Sequence, residues 1–175
     1  MCSRDGLHWN RYNEACITPG PENPNNWVYG DCYPALGMIE TESDTQGADN
    51  EISMYNFEGK WSCKPSKLYR YTTRLDGFAS YHSTYEQQKV VTKPFIFEGS
   101  QLKLNFETSA IGGIYIKVLD ENYNEIDGLY TCEIYGNKVD RIIDFENGDI
   151  SKVAGKPVRL EFTMSDADIY SFIFE

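Results

Sequence analysis

The sequence predicts an all-β protein, and three observations carry that expectation. Apolar and polar residues alternate with period two in successive short runs from about Lys89 onward. Glycine, asparagine, aspartate and serine pairs punctuate those runs. An apolar period of about 3.6 residues is sustained nowhere for more than about two turns, so no long helix is expected.

Taken in order, the chain divides near Tyr81–Gln88. Before that point it is turn-rich. Residues 18–26 carry three prolines and three asparagines, which exclude a continuous helix or a central strand. Residues 41–50 form a second loop, acidic and polar. Short β-like runs stand around these loops at 38–39, 52–57 and 67–73. In the last, Leu68, Arg70 and Thr72 alternate with Tyr69, Tyr71 and Thr73. Downstream, strands are expected over 90–97, 102–108, 113–119, 130–135, 139–145, 158–164 and 169–174. Gly99-Ser100, Gly112-Gly113, Asp120–Asn124, Gly136-Asn137, Asn147-Gly148 and Ser165-Asp166 are read as the breaks between strands, and 149–154 as at most one helical turn. Leu102, Leu104 and Phe106 alternate with Lys103, Asn105 and Glu107. Ile114, Ile116 and Val118 alternate with Tyr115, Lys117 and Leu119, and Val158, Leu160 and Phe162 with Arg159, Glu161 and Thr163. Such alternation puts one side of each strand on a core and the other in water. The expected organisation is a turn-rich β segment over 1–80 and an antiparallel β-sandwich, jelly-roll or immunoglobulin-like, over 81–175.

Composition narrows the function classes. In 175 residues, 41% are apolar and 14% aromatic, which argues against disorder. The net charge of −11 argues against nucleic acid, whose phosphates require a cationic face. No apolar run approaches the roughly 18 residues a membrane span needs. Residues 1–12 contain Arg4, Asp5, His8 and Arg11 and have no apolar stretch, so they do not read as a secretory signal; the chain is expected to be a piece of a larger precursor. The five cysteines, Cys2, Cys16, Cys32, Cys63 and Cys132, include no C-x-x-C pair, and only His8 and His82 stand beside them. Buried thiols acting as small hydrophobes are expected rather than a zinc site. No G-x-S-x-G, H-E-x-x-H, phosphate-cradling glycine loop or G-x-G-x-x-G occurs, and no cofactor is expected.

Three segments resemble a known arrangement. Thr73-Thr-Arg-Leu-Asp-Gly-Phe-Ala-Ser80 resembles the junction that closes a β-propeller in glycosidase-like proteins of gut and marine bacteria. Gly20-Pro-Glu-Asn-Pro-Asn-Asn-Trp-Val-Tyr-Gly-Asp-Cys-Tyr-Pro34 resembles a loop and strand of a late propeller blade of those proteins. Lys93–Phe97, Leu102–Ser109, Ala154–Phe162 and Asp166–Phe172 are similar to their C-terminal β-sandwich. The resemblance implies a last propeller segment plus an accessory sandwich of an extracytoplasmic, periplasmic or secreted protein. Its partners would be an upstream propeller and carbohydrate. Val28 departs from the pattern, because many relatives carry an acidic residue there.

Glycoside hydrolysis needs two carboxyl groups flanking the bond. In the family resembled, several blades supply them, so a chain with one or two blades is expected not to be catalytic alone. Its expected role is structural support with carbohydrate binding. The alternatives are an active site completed by upstream blades, or a surface protein-interaction domain. Trp27, Tyr29 and Tyr33 are candidate stacking platforms for sugar rings, and Asp31 a candidate contact to sugar hydroxyls or, alternatively, a turn residue. Trp9 and Trp61 are expected to pack. Tyr115, Tyr123, Tyr130 and Tyr135 could substitute as platforms on the sandwich. Asp76, in Leu-Asp-Gly-Phe, reads as a turn residue with positive φ on the glycine. Asp120–Asn124 mimics the start of a calcium loop, but Glu125 and Thr131 stand where glycine and glutamate are required, so a hairpin is expected. Asp166 and Asp168, two apart in a strand, would share a face and could bracket a cation, or form a turn into the final strand.

Overall fold

The computed structural model describes residues 1–3, 5–13, 15–59 and 65–175; Trp61 and Cys63 lie outside them. The protein is all-β with antiparallel sheets, 48% strand, and no helix beyond one 3₁₀ turn at Ile150–Val153 among the described residues. No helix is long and apolar enough to cross a membrane among them. Two compact units are formed, Met1–Leu75 and Asp76–Glu175.

The first unit is a small sheet of β1 (Tyr33–Pro34), β2 (Ile39–Thr41), β3 (Glu51–Glu58) and β4 (Lys67–Arg74). The spine is β3. Along one edge it pairs with β4 from Glu51↔Arg74 to Glu58↔Lys67, and along the other with β1 at Tyr33↔Phe57 and β2 at Ile39↔Ser53. The alternation in β4 yields two different faces. Arg70 lies on one, donating from Nε to Ser53 Oγ at 2.8 Å and from its terminal nitrogens to Asp44 and Glu51 at 2.8 Å and Thr41 at 3.0 Å. Ser53 is fully buried beneath it. We predict that Arg70→Met costs this unit about 2–3 kcal/mol, because Ser53, Thr41 and Glu51 lose a charged donor together. The loss is to be measured as a drop in urea midpoint.

Tyr71 lies on the opposite face and donates its hydroxyl to Glu58 Oε1 at 2.6 Å, which pushes its pKa from 10.0 up to about 12. The folded state therefore favours the neutral phenol, so this bond's contribution is complete below pH 10 and is lost as pH rises through about 12. An ultraviolet difference titration is expected to show one tyrosine ionising after the others, and Tyr71→Phe to remove that late step.

Among the described residues, the side chains buried in this unit are Asn26, Ser53 and Asn56, all polar. Several of its large apolar side chains, including Ile39, Phe57 and Leu68, are exposed, while Ile52, Met54 and Tyr55 are half-buried. Among the described residues, hydrogen bonds and ion pairs rather than fully buried apolar side chains mark this sheet.

The second unit is built differently. Its strands are β5 (Tyr81–Ser83), β6 (Gln88–Val91), β7 (Leu102–Asp120), β8 (Glu125–Tyr130), β9 (Asn137–Ile143) and β10 (Val158–Phe174). The breaks expected at Gly112-Gly113 and Ser165-Asp166 are not breaks. Two pairs of expected strands are in fact two long strands, β7 and β10, which pair antiparallel from Val158↔Asp120 to Phe174↔Leu102. The ladder bends where a register shift falls between Ser165 and Ala167, opposite the glycine pair. Beyond the bend the outer partners change. The start of β7 carries β9 and its end β8, while the start of β10 carries β6 and its later part β5. A single sheet thus folds across one core, a layered antiparallel arrangement consistent with a sandwich.

The inward positions named by the alternation form that core. Leu102, Leu104, Phe106, Ile114, Ile116, Val118, Val158, Leu160 and Phe162 are buried in one cluster. One end is closed by Phe95, Phe97, Phe172 and Phe174, with the Phe97 and Phe174 rings stacked at 3.9 Å. Leu119, expected outward, is buried, although it lies outside the core cluster that Ile116 and Val118 join. The strand expected at 130–135 lies at Glu125–Tyr130 instead. Its turn is closed by Asp120, whose carboxylate accepts the amides of Asn122 at 2.8 Å and Asn124 at 2.9 Å. That is a hairpin.

Other expectations are corrected. Cys16 and Cys132 are exposed and Cys2 and Cys32 half-buried, so these free thiols are not core hydrophobes. Trp9 is exposed rather than packed, its indole donating to the Gly6 carbonyl at 3.2 Å. At Leu75–Phe78 the left-handed residue is Asp76 itself, with φ 56°, and its carboxylate accepts from Ser171 at 2.7 Å. A short polar side chain tolerates that conformation, which frees the glycine from supplying it.

Candidate functional site

Each unit holds one region with site-like chemistry. In the first, Asn26 organises the proline-rich loop from inside. It is buried, donates from Nδ2 to the carbonyls of Pro19 at 2.8 Å and Pro21 at 2.9 Å, and accepts the Asn23 amide at 2.7 Å. Trp27 follows in a left-handed conformation, φ 58°, rare for a bulky residue, and its indole donates to the Gly20 carbonyl at 2.9 Å. The ring itself stays exposed, as do Tyr29 and Tyr33. Trp27 and Tyr29 are therefore exposed on a loop pinned by Asn26, and Tyr33 at the start of β1. Asp31 is differently placed. One carboxylate oxygen accepts the Gly59 amide at 2.6 Å and the other the Val28 amide at 3.1 Å. That is the work of a turn residue that ties the loop to the end of β3. We predict that Asp31→Ala costs about 1–2 kcal/mol of loop stability. The readout is faster amide exchange at Val28 and Gly59.

In the second unit four strands place one polar residue each on a single line. The register reads His82↔Asp168 between β5 and β10, Asp168↔Glu107 between β10 and β7, and Glu107↔Asn137 between β7 and β9. Because Phe106, Ala167 and Ile169 on the same strands point into the core, this rung lies on the outer face. It floors an open cleft of about 270 Å³, which Asp166 and Ser109 help to line.

The rung is held in place by its own bonds. Asp168 accepts from Ser80 Oγ at 2.6 Å and faces His82 Nδ1 at 3.1 Å. Glu107 accepts from the Tyr170 hydroxyl at 2.9 Å and from Asn137 Nδ2 at 3.2 Å. Asp166 occupies the bulge with φ 45°, its amide donating to Thr84 O at 2.7 Å, while Ser83 Oγ bridges the Ala167 amide and carbonyl at 3.2 Å each. A bulge re-aims its side chain. Asp166 and Asp168, read as sharing a face, both line the cleft, with the buried Ala167 between them. Among the described residues, no group of three or more His, Cys, Asp or Glu side chains is arranged to hold a metal ion.

The rung is not arranged as a catalytic triad. Ser80 and His82 both bond to Asp168 and occupy its two oxygens, whereas an activated serine would have the imidazole between itself and the carboxylate. Carboxylate acceptors dominate, with one imidazole, one amide and nearby hydroxyls. Sequence reasoning found Asp166 and Asp168 but missed His82, Glu107 and Asn137. Glu107 alone stood outward on an alternating run, Asn137 read as a break and His82 fell at the division of the chain, and their convergence needs the long-range register.

Compared with protein-family models, curated proteins and solved structures, the chain matches none.

Proposed function

We propose that the chain is the non-catalytic C-terminal accessory region of a larger extracytoplasmic, glycoside-hydrolase-like protein. In this reading Met1–Leu75 is the end of a β-propeller and Asp76–Glu175 a jelly-roll or immunoglobulin-like sandwich that supports it and contributes carbohydrate contacts. One observation carries the reading: the first unit's sheet buries no apolar side chain among the described residues, whereas the second unit has a complete core. A small sheet with exposed Ile39, Phe57 and Leu68 gains its stability when more protein is laid against it. A terminal blade in a propeller is so placed. A structural role suits Asp31, whose two carboxylate oxygens are taken by backbone amides.

The test uses the distribution of tryptophan, since Trp9, Trp27 and Trp61 all precede the second unit. In urea, tryptophan emission is expected to change gradually and at low denaturant, while far-ultraviolet circular dichroism shows a later, cooperative step. A single steep transition in both signals overturns the reading. So does turnover of oligosaccharides by the purified chain.

A further inference from the structure

We propose that the proline-rich loop over residues 19–30 is a lid that opens to uncover Asn56 on β3. The device lies wholly within the first unit and holds whether or not the chain is an accessory region.

Asn56 stands between Pro34 of β1 and Tyr69 of β4 in the sheet register, and it is 1% exposed. Its side-chain Oδ1 and Nδ2 are both sealed from solvent, and neither has a hydrogen-bond partner among the described residues. An amide so placed has given up its bonds to water and received none in return. Glu58, two residues on, shares its face, and so do Lys67 and Tyr69 across the ladder. These three line a cavity of about 30 Å³ together with Asn23, Asn25 and Asn26 of the loop. The loop therefore lies against the face of the sheet that carries Asn56. Asn25 repeats the fault at the same seam, because its Oδ1 is buried and also without a partner.

Opening restores what the closed loop loses. Water reaches both polar atoms of Asn56 and the Oδ1 of Asn25, and three unmet hydrogen-bonding groups are satisfied at once. The bonds that shape the loop do not resist this movement. Asn26 bonds to the Pro19 and Pro21 carbonyls and to the Asn23 amide, and Trp27 to the Gly20 carbonyl, all inside the loop. The loop can therefore swing as one piece without unravelling. Its latch is Asp31, whose carboxylate accepts the Gly59 amide at the end of β3 at 2.6 Å. Gly30 at φ 89° and Cys32 at φ 58° flank that latch in left-handed backbone. Such backbone is strained for cysteine, so this short segment is the natural hinge and relaxes as the loop lifts. The movement uncovers a polar floor of Asn56, Glu58 and Tyr69.

The experiment is amide hydrogen exchange on the full chain, read at Gly59, whose amide closes the latch. Gly59 is expected to exchange at least about tenfold faster than the ladder amides of β3 and β4, with little dependence on urea. Asn56→Leu replaces the orphaned amide with an apolar group of similar size, and should slow exchange at Gly59 at least about fivefold. Asn25→Ala, at a half-buried loop position, removes the second orphan and should slow it about twofold. Circular dichroism checks that each variant keeps the fold. Unchanged or faster exchange at Gly59 in both folded variants overturns the proposal. Exchange of Gly59 together with the ladder amides, at one rate and one urea dependence, overturns it as well. So does a crystal structure with an ordered water bonded to Asn56 beneath a closed loop, because the amide would then already be satisfied.

Discussion

Gly112→Ala is expected to destabilise the Asp76–Glu175 unit by about 3 kcal/mol, whereas Gly113→Ala beside it changes stability by less than about 1 kcal/mol. The contrast follows from what a methyl group meets at each position. At Gly112 it would lie 2.2 Å from the Asp166 carbonyl oxygen and 2.8 Å from that of Ser165. These are backbone atoms of the bulge on the facing strand, and the bulge is tied to β5 through Thr84 O and Ser83 Oγ. Neither side can yield without opening the bend. At Gly113 the methyl would meet Glu133, beginning 2.5 Å from Oε1, a flexible side chain that can swing away. For a unit of this length about 3 kcal/mol lowers the thermal midpoint by roughly 12–24 °C, readily seen by circular dichroism. Equal effects from the two variants would show that the strands do not approach through Gly112.

The same bend shows where a sequence stops being informative. Alternation at Leu102, Leu104 and Phe106, and again at Val158, Leu160 and Phe162, identified buried positions because a strand's side-chain period is a local property. The continuity of β7 through Gly112-Gly113 was not local. A glycine pair serves equally for a reversal and for two backbones passing close, and only the opposing bulge distinguishes them. The cleft was hidden for the same reason. Asp166 and Asp168 stand out as neighbours, but His82, Glu107 and Asn137 join them through pairings between residues far apart in the chain. In the first unit, the candidate aromatics Trp27, Tyr29 and Tyr33 were visible by residue type. The buried Asn26 that holds their loop looked like one more asparagine in a polar run.

Phe106→Ala is expected to cost about 3–5 kcal/mol and to leave the second unit largely unfolded at moderate urea, with Phe57→Ala costing clearly less. Phe106 is fully buried opposite Ile169, directly before the rung residue Glu107, and the Arg141 guanidinium lies 5.7 Å from its ring centroid. Truncation removes the ring and leaves a cavity that β7, paired with both β10 and β9 at this point, cannot close by shifting. Phe57 occupies a comparable mid-sheet position in the first unit, facing Tyr33 and Leu68 on its neighbours, yet its ring is 40% exposed. Only part of the burial that Phe106 has is lost with it, so the expected change is about 1–2 kcal/mol. Urea melts of both variants, followed by circular dichroism and by tryptophan emission, separate the two units. If Phe57→Ala proved as damaging as Phe106→Ala, the first sheet would have to bury an apolar core of its own. The accessory reading would then lose the asymmetry on which it stands.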